Sequence, residues 1–142
     1  MIVLDTNVVS ELLRRDPDTR VLQWFEVQAE ELAITSVTWA ELLAGVELLP
    51  EGKRRRELRS ALLRASAPFV GTRALISFDE KAAQHYATIV ASRQRMGRPI
   101  STADAQIAAM CRTYEASCAT RNTKDFADTG VHIVNPWEFP GM

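Results

Sequence analysis

Ile2-Val3-Leu4-Asp5-Thr6-Asn7-Val8-Val9 decides how the rest of the chain is read. Ile2, Val3 and Leu4 form a short, apolar, largely β-branched run, the pattern of a strand buried on both faces. Asp5, Thr6 and Asn7 then present three capping side chains in a row, and Val8, Val9, Leu12 and Leu13 recur at helical spacing. A buried strand that passes directly into a helix is the opening of an α/β fold. Its terminal acid is a first candidate for a site, because open parallel sheets bind ligands beyond the carboxyl ends of their strands.

The same alternation continues along the chain. Pro17 opens a second helix with Val21, Leu22, Trp24 and Phe25, and Leu32-Ala33-Ile34 reads as a second strand. Thr35 or Ser36 starts a helix bearing Trp39, Leu42, Leu43 and Val46, which Pro50-Glu51-Gly52 breaks. Lys53 to Arg64 is a basic amphipathic helix with Leu58, Leu62 and Leu63 as its apolar stripe. Leu75-Ile76 is briefly extended, Asp79 caps a helix through Ala83, Tyr86, Ile89 and Val90, and Ser101 begins another with Ile107, Ala108 and Cys111 inward. Ala116 to Ala119 is a strand, Thr120 to Phe126 a loop or short helix, and Val131 to Val134 a last strand. Short apolar strands alternating with helices predict one α/β domain over residues 1–142, with a central parallel sheet covered by helices on both faces.

The 142 residues are 46% hydrophobic and 25% charged, which allows a real core. No run is apolar enough to span a bilayer, and Ile2 begins a core strand where a secretory leader would need a basic region. A cytoplasmic protein with no membrane partner is expected. Cys111 and Cys118 fall in apolar segments and read as small buried hydrophobes, neither a disulfide framework nor a zinc pair. The formal net charge of -1 excludes a globally basic nucleic-acid coat but permits local basic patches.

Asp5, Glu41, Asp104 and Asp125 each follow a strand or open a helix near the same predicted edge. Each alone has an ordinary reading. Asp5 caps a helix, Glu41 is a solvated helix residue, Asp104 completes a capping box with Ser101, and Asp125 closes a turn. Together they are better explained by one pocket than by four coincidences. Clustered carboxylates repel unless a cation lies among them, and oxygen ligands suit Mg²⁺ or Mn²⁺, which points to phosphodiester chemistry. Thr6, Asn7, Ser10, Thr102, Thr120 and Asn122 are placed to hydrogen-bond those acids or metal-bound waters, a role compatible with capping and turn formation by the same side chains.

Rival chemistries find little support. No Gly-rich turn follows the first strand, so the dinucleotide fingerprint and the P-loop are missing. An aspartyl-phosphate enzyme would want an acid at position 7, which is Asn7. His85 and His132 read as structural, and no Ser or Cys has a base nearby in the pattern. The run Lys53-Arg54-Arg55-Arg56 reads first as a solvated face, whereas Arg93, Arg95, Arg98 and Arg121 stand better to touch a nucleic-acid backbone.

Four ordered blocks resemble the PIN-domain ribonucleases. They are Ile2-Val3-Leu4-Asp5-Thr6-Asn7 with Ser10-Glu11-Leu12, then Ser36 to Leu42, Gly97 to Ala109, and Thr120-Arg121-Asn122-Thr123-Lys124-Asp125-Phe126. The resemblance spans the whole chain and is nearest to the VapC toxins of type II toxin–antitoxin pairs, in their FitB-like branch. It implies a three-layer α/β/α sandwich and a Mg²⁺- or Mn²⁺-dependent endoribonuclease that hydrolyses RNA phosphodiester bonds with a metal-activated water. The implied metal-holding and catalytic residues are Asp5, Glu41, Asp104 and Asp125, with Asn7 and Thr120 supporting. The implied partners are an RNA substrate, a cognate antitoxin and a second copy in a homodimer, with a higher hetero-oligomer on antitoxin binding. The Trp24-Phe25 helix and the Leu58-Leu62 stripe offer apolar surface for such contacts, against core packing as the ordinary explanation. Two other functions remain open at this point: a catalytically silent RNA- or protein-binding module, and a DNA-directed metal-dependent nuclease.

Overall fold

In the computed structural model, which describes residues 1–141, β1 (Ile2–Leu4) is the central strand of a five-stranded sheet. From β1 the chain passes through α1 (Thr6–Leu12) and α2 (Thr19–Glu26) to β2 (Leu32–Thr35). It continues through α3 (Ser36–Glu47) and α4 (Lys53–Ser66) to β3 (Leu75–Ile76). Helices α5 (Glu80–Arg95) and α6 (Thr102–Thr113) then carry it back across β1 to β4 (Ser117–Ala119) and β5 (Ile133–Val134), before a 3₁₀ turn at Pro136–Glu138. The strand order is β3-β2-β1-β4-β5, and every pairing is parallel. The chain winds outward on one side of β1, returns, and winds outward on the other. The β1–β4 seam is therefore the place where strand order reverses, and such a switch point opens a crevice at the carboxyl edge.

Alternation along the strands divides the interior between two faces. Val3, Ala33, Ile76 and Cys118 pack with the inner faces of α5 and α6. Ile2, Leu4, Ile34 and Ala119 pack with Val8, Val21, Leu42 and Leu62 from the first four helices and with Trp137. Helices on both faces of a parallel sheet give the expected three layers, and they explain why the strands lack polar alternation. Small residues let α6 lie deep, since Ala105, Ala108 and Ala109 have no exposed surface. Helix starts follow the capping side chains: Asp5, Thr35, Asp79 and Ser101 each accept a backbone N–H of the helix they precede.

Two local expectations change, and two open alternatives are decided. The second helix begins at Thr19 rather than Pro17, because the Asp18 carboxylate captures the Arg20 N–H at 2.8 Å and sets the cap there. The stretch after Thr120 forms turns and no helix, and only Ile133–Val134 of the last apolar run pairs with β4. Trp24 and Leu62 belong to the core, so the second helix and the stripe on α4 are packing faces first. Among the described residues no helix is long and apolar enough to cross a membrane.

Adjacent leucines on α4 separate core from surface. Leu62 is 1% exposed and Leu63 is 53% exposed. Leu62→Ala should lower unfolding free energy by about 2–5 kcal/mol in urea titrations. Leu63→Ala should stay within about 0.5 kcal/mol of wild type. Equal losses at the two positions would contradict this packing.

Candidate active site at the seam of β1 and β4

The register Leu4↔Ala119 brings the next residue of each strand side by side just beyond the sheet. Asp5 donates its N–H to the Ala119 carbonyl at 2.9 Å, and Thr120 Oγ1 donates to Asp5 Oδ2 at 2.8 Å. Asp5 is 4% exposed, and Thr120 is fully buried. Asp5 Oδ1 accepts the Thr6 N–H at 2.8 Å, so the carboxylate also caps α1. Asn7 Nδ2 lies 3.3 Å from Asp5 Oδ2 and 3.2 Å from Thr120 Oγ1, while Asn7 Oδ1 accepts the Arg121 N–H. The capping reading of Asp5 was correct but incomplete, because the same group is fixed across the seam by two other elements.

Glu41 arrives from β2. Thr35 ends that strand and accepts the Thr38 N–H, which starts α3. Thr38 and Glu41 lie three residues apart, one helical turn, and so share a face. Thr6 Oγ1 donates to Glu41 Oε1 at 2.7 Å and lies 3.1 Å from Thr38 Oγ1, so this hydroxyl pair aims an otherwise exposed Glu41 toward Asp5. Asp104 stands in the first turn of α6, its N–H donating to Ser101 Oγ at 3.2 Å. A helix N-terminus favours a negative charge there.

Asp5, Glu41 and Asp104 line one open cleft of about 480 Å³, together with Asn7, Arg121 and Trp137. Asp125 does not line it. That residue projects from the exposed turns after β4, close enough for its charge to act on Asp104. Burial pushes the Asp5 carboxyl above the usual carboxylate range; hydrogen bonds from Thr120 and Thr6 oppose this, and the charges of Asp104 and Glu41 add to it. Asp104 is also raised, first by burial and then by Asp125 and Glu41, against Ser101 and the Arg93 charge. The cleft thus holds more negative charge than its protein surroundings neutralise.

Whether the donor set fits a divalent cation can be judged from these groups. All are hard carboxylate oxygens, the chemistry that Mg²⁺ and Mn²⁺ require. Asp5 spends three of about four lone-pair directions on Thr6, Thr120 and Asn7, which leaves one free toward the cleft. Among the described residues, however, no three His, Cys, Asp or Glu side chains converge into a ready-made ligand group. The residues fit in chemistry and in charge, in an open arrangement. Cys111 on α6 and Cys118 on β4 are both buried, and the Cys118 thiol is held well above its usual range by Cys111 and by burial, which suits inert core residues.

Two further residues that line the cleft carry no distinct signal as site residues in the sequence. Glu11 is 5% exposed, lines the cleft, accepts the Asp18 N–H at 2.9 Å and pairs with Arg14 at 3.2 Å. Its place four residues after Asn7 on α1 was an indirect signal. Trp137 floors the cleft beneath the Arg121 guanidinium, 5.1 Å from its ring, and nothing in sequence separates it from a core aromatic. Arg93 corrects an expectation. It is 4% exposed and donates to backbone carbonyls, so it does not face a nucleic-acid strand, and Arg98 is engaged with Asp128.

The PIN domain family pattern matches residues 2–131. The chain is 41% identical to VapC ribonuclease Y4jK of Sinorhizobium fredii over 139 residues, 97% of this chain and 99% of that protein. It is 38% identical to toxin FitB of Neisseria gonorrhoeae over 138 residues, 96% and 99% of the two chains. The crystal structure of FitAcB from Neisseria gonorrhoeae superposes with a TM-score of 0.89 at 38% identity, covering 97% of this chain and 99% of that one.

The raised acids set the sign of a pH effect. A carboxyl that is harder to ionise folded than unfolded binds more protons in the native state. Stability is therefore lost as pH rises from the ordinary 3.8 through the raised folded values. In chelator, Asp104→Asn should melt at a higher temperature than wild type at neutral pH, and the gap should close at pH 3. A variant less stable than wild type at neutral pH would show that the acids are not mutually destabilising.

Proposed function

Because the chain belongs to the PIN-domain family, we propose that it is a metal-dependent endoribonuclease, the toxin of a toxin–antitoxin pair. The observation that carries this reading is the convergence of Asp5, Glu41 and Asp104 on one cleft at the strand-order switch, with two of the three carboxyls raised. Asp5 and Asp104 would hold Mg²⁺ or Mn²⁺, with Glu41 as a further ligand or as the group that orients water, while Asp125, outside the cleft, adds negative charge beside Asp104. When bound, the cation supplies positive charge that lowers the pKa of the attacking water and offsets charge building on the phosphoryl oxygens.

The chain's own residues do the positioning. Thr120 and Asn7 lock the Asp5 carboxylate against the sheet, so that its one free direction faces substrate. The Thr6 hydroxyl holds Glu41 at the rim, where its second oxygen accepts a proton from the incoming water. Arg121, stacked on Trp137 and tied through its N–H to Asn7, reaches a phosphate of the strand in the cleft. No histidine is needed for this chemistry, and neither His85 nor His132 lines the cleft.

A groove floored by Leu13, Leu42, Val46, Leu49 and Leu58 joins the cleft through Thr6, Ser10 and Glu41, with Arg15 and Arg54 on its walls. An apolar floor with basic walls suits an amphipathic antitoxin segment that carries acids beside its apolar face. The protein would act in the cytoplasm on RNA and pair with a second copy of itself.

Asp5→Ala should abolish cleavage of single-stranded RNA in Mn²⁺ while the circular dichroism spectrum stays that of wild type. Wild-type protein should fall silent in chelator and recover when Mn²⁺ returns. Wild-type cleavage by Asp5→Ala overturns the assignment of residues. RNA binding that survives chelation, with no cutting on Mn²⁺ addition, indicates a silent binding module. Preferential cutting of matched DNA indicates a DNA nuclease.

A further inference from the structure

Arg93 lies near the end of α5, is 4% exposed, and contacts two loops at once. Its Nη1 donates to the Asp125 carbonyl at 2.8 Å and the Ala127 carbonyl at 3.0 Å, and its Nε donates to the Arg98 carbonyl at 2.7 Å. The Arg98 N–H returns a bond to the Arg93 carbonyl at 3.0 Å. One guanidinium therefore ties the turns that carry Asp125 to the turn that leads into α6, whose first turn carries Asp104.

The loop around Asp125 is also held at its ends, by the Asn122 N–H on Thr120 Oγ1 at 3.0 Å and by an ion pair between Arg98 and Asp128. Asp125 N–H bonds Asn122 O at 3.0 Å, Thr129 Oγ1 donates to Phe126 O at 2.7 Å, and the Phe126 ring is buried against α6 and β4. Among the described residues, Arg93 alone donates to the Asp125 carbonyl itself. Among the described residues, no carboxylate forms an ion pair with Arg93. A buried charge left without an ion pair is costly, and a mechanical strut has no need of one. The Arg93 charge acts instead on Asp104, where it opposes the repulsion of Asp125 and Glu41.

We propose that Arg93 is the positioning residue for the Asp104–Asp125 half of the site, a buried fork that sets the distance between these two acids and offsets part of their repulsion. This rests on the cation-binding reading above. Lysine cannot replace it, because a single ammonium lacks the planar fork that spans three carbonyls.

The test is Mn²⁺ binding by calorimetry on the full chain, with amide exchange at residues 121–129 as a second readout. Wild type should bind. Arg93→Ala should bind about 10- to 100-fold more weakly, the loss typical of residues that orient metal ligands. Millimolar guanidinium should restore much of the affinity, and exchange at 121–129 should quicken without guanidinium. Ile89→Ala, buried on the same helix, should lower melting temperature without changing Mn²⁺ affinity. If Arg93→Ala does not fold, Arg93→Lys serves, and it should also bind more weakly. Wild-type affinity in the folded Arg93 variants, or an equal loss in Ile89→Ala, overturns the proposal. Absence of Mn²⁺ binding by wild type overturns the cation reading and this inference with it, whereas wild-type binding with unaltered variants overturns this inference alone.

Discussion

The hydrogen bond from Thr120 to the Asp5 carboxylate exists only because β1 and β4 end in register, and the rest of the site is arranged around it. A one-residue slip in a parallel pair would turn Asp5 to the opposite face. The register is held because Val3 and Cys118 must face α6 while Leu4 and Ala119 face the first helices. Core packing therefore determines where a polar group stands at the sheet's edge. Side-chain bonds then spread from that point through Asn7 to Arg121, and through Thr6 and its capped helix to Glu41.

The cost of this arrangement is electrostatic. Asp5 is buried on a scale usual for apolar residues, and its neighbours Asp104 and Glu41 carry the same sign. Hydrogen bonds relieve part of the penalty, yet the carboxyl remains above the ordinary range. A fold selected for stability alone would place Asn or an apolar residue at such a position. Retaining the acid is the compromise between stability and activity that functional sites commonly carry. The buried Arg93 belongs to the same compromise, since an unpaired internal charge is tolerable next to a surplus of the opposite sign.

Fold class was legible because the strands are short apolar runs and four of the helices start at a residue with a strong physical signal. Asp5, Thr35, Asp79 and Ser101 all cap in three dimensions as their side chains suggest. The gathering of Asp5, Glu41 and Asp104 was legible for the same reason, since each follows a strand or opens a helix and the winding puts those ends on one edge. What could not be read was which side chains turn inward. Arg93, Arg95 and Arg98 look alike in sequence, and only the path of the turns after β4 shows that Arg93 lies beneath them. Asp125 stands outside the cleft for a similar reason, because turns carry no periodicity from which direction can be read. Glu11 was obscured by its ordinary place in a helix, and its burial depends on the loop that returns Asp18 to it.

The central claim is that this crowd of acids is a cation site. Anomalous diffraction from crystals of the full chain soaked in Mn²⁺, recorded on both sides of the manganese edge, tests it most directly. The account predicts one or two peaks in the cleft, bonded to Asp5 and Asp104, which vanish in Asp5→Asn crystals. Peaks only elsewhere, or none in crystals of a protein that still cuts RNA, would contradict it.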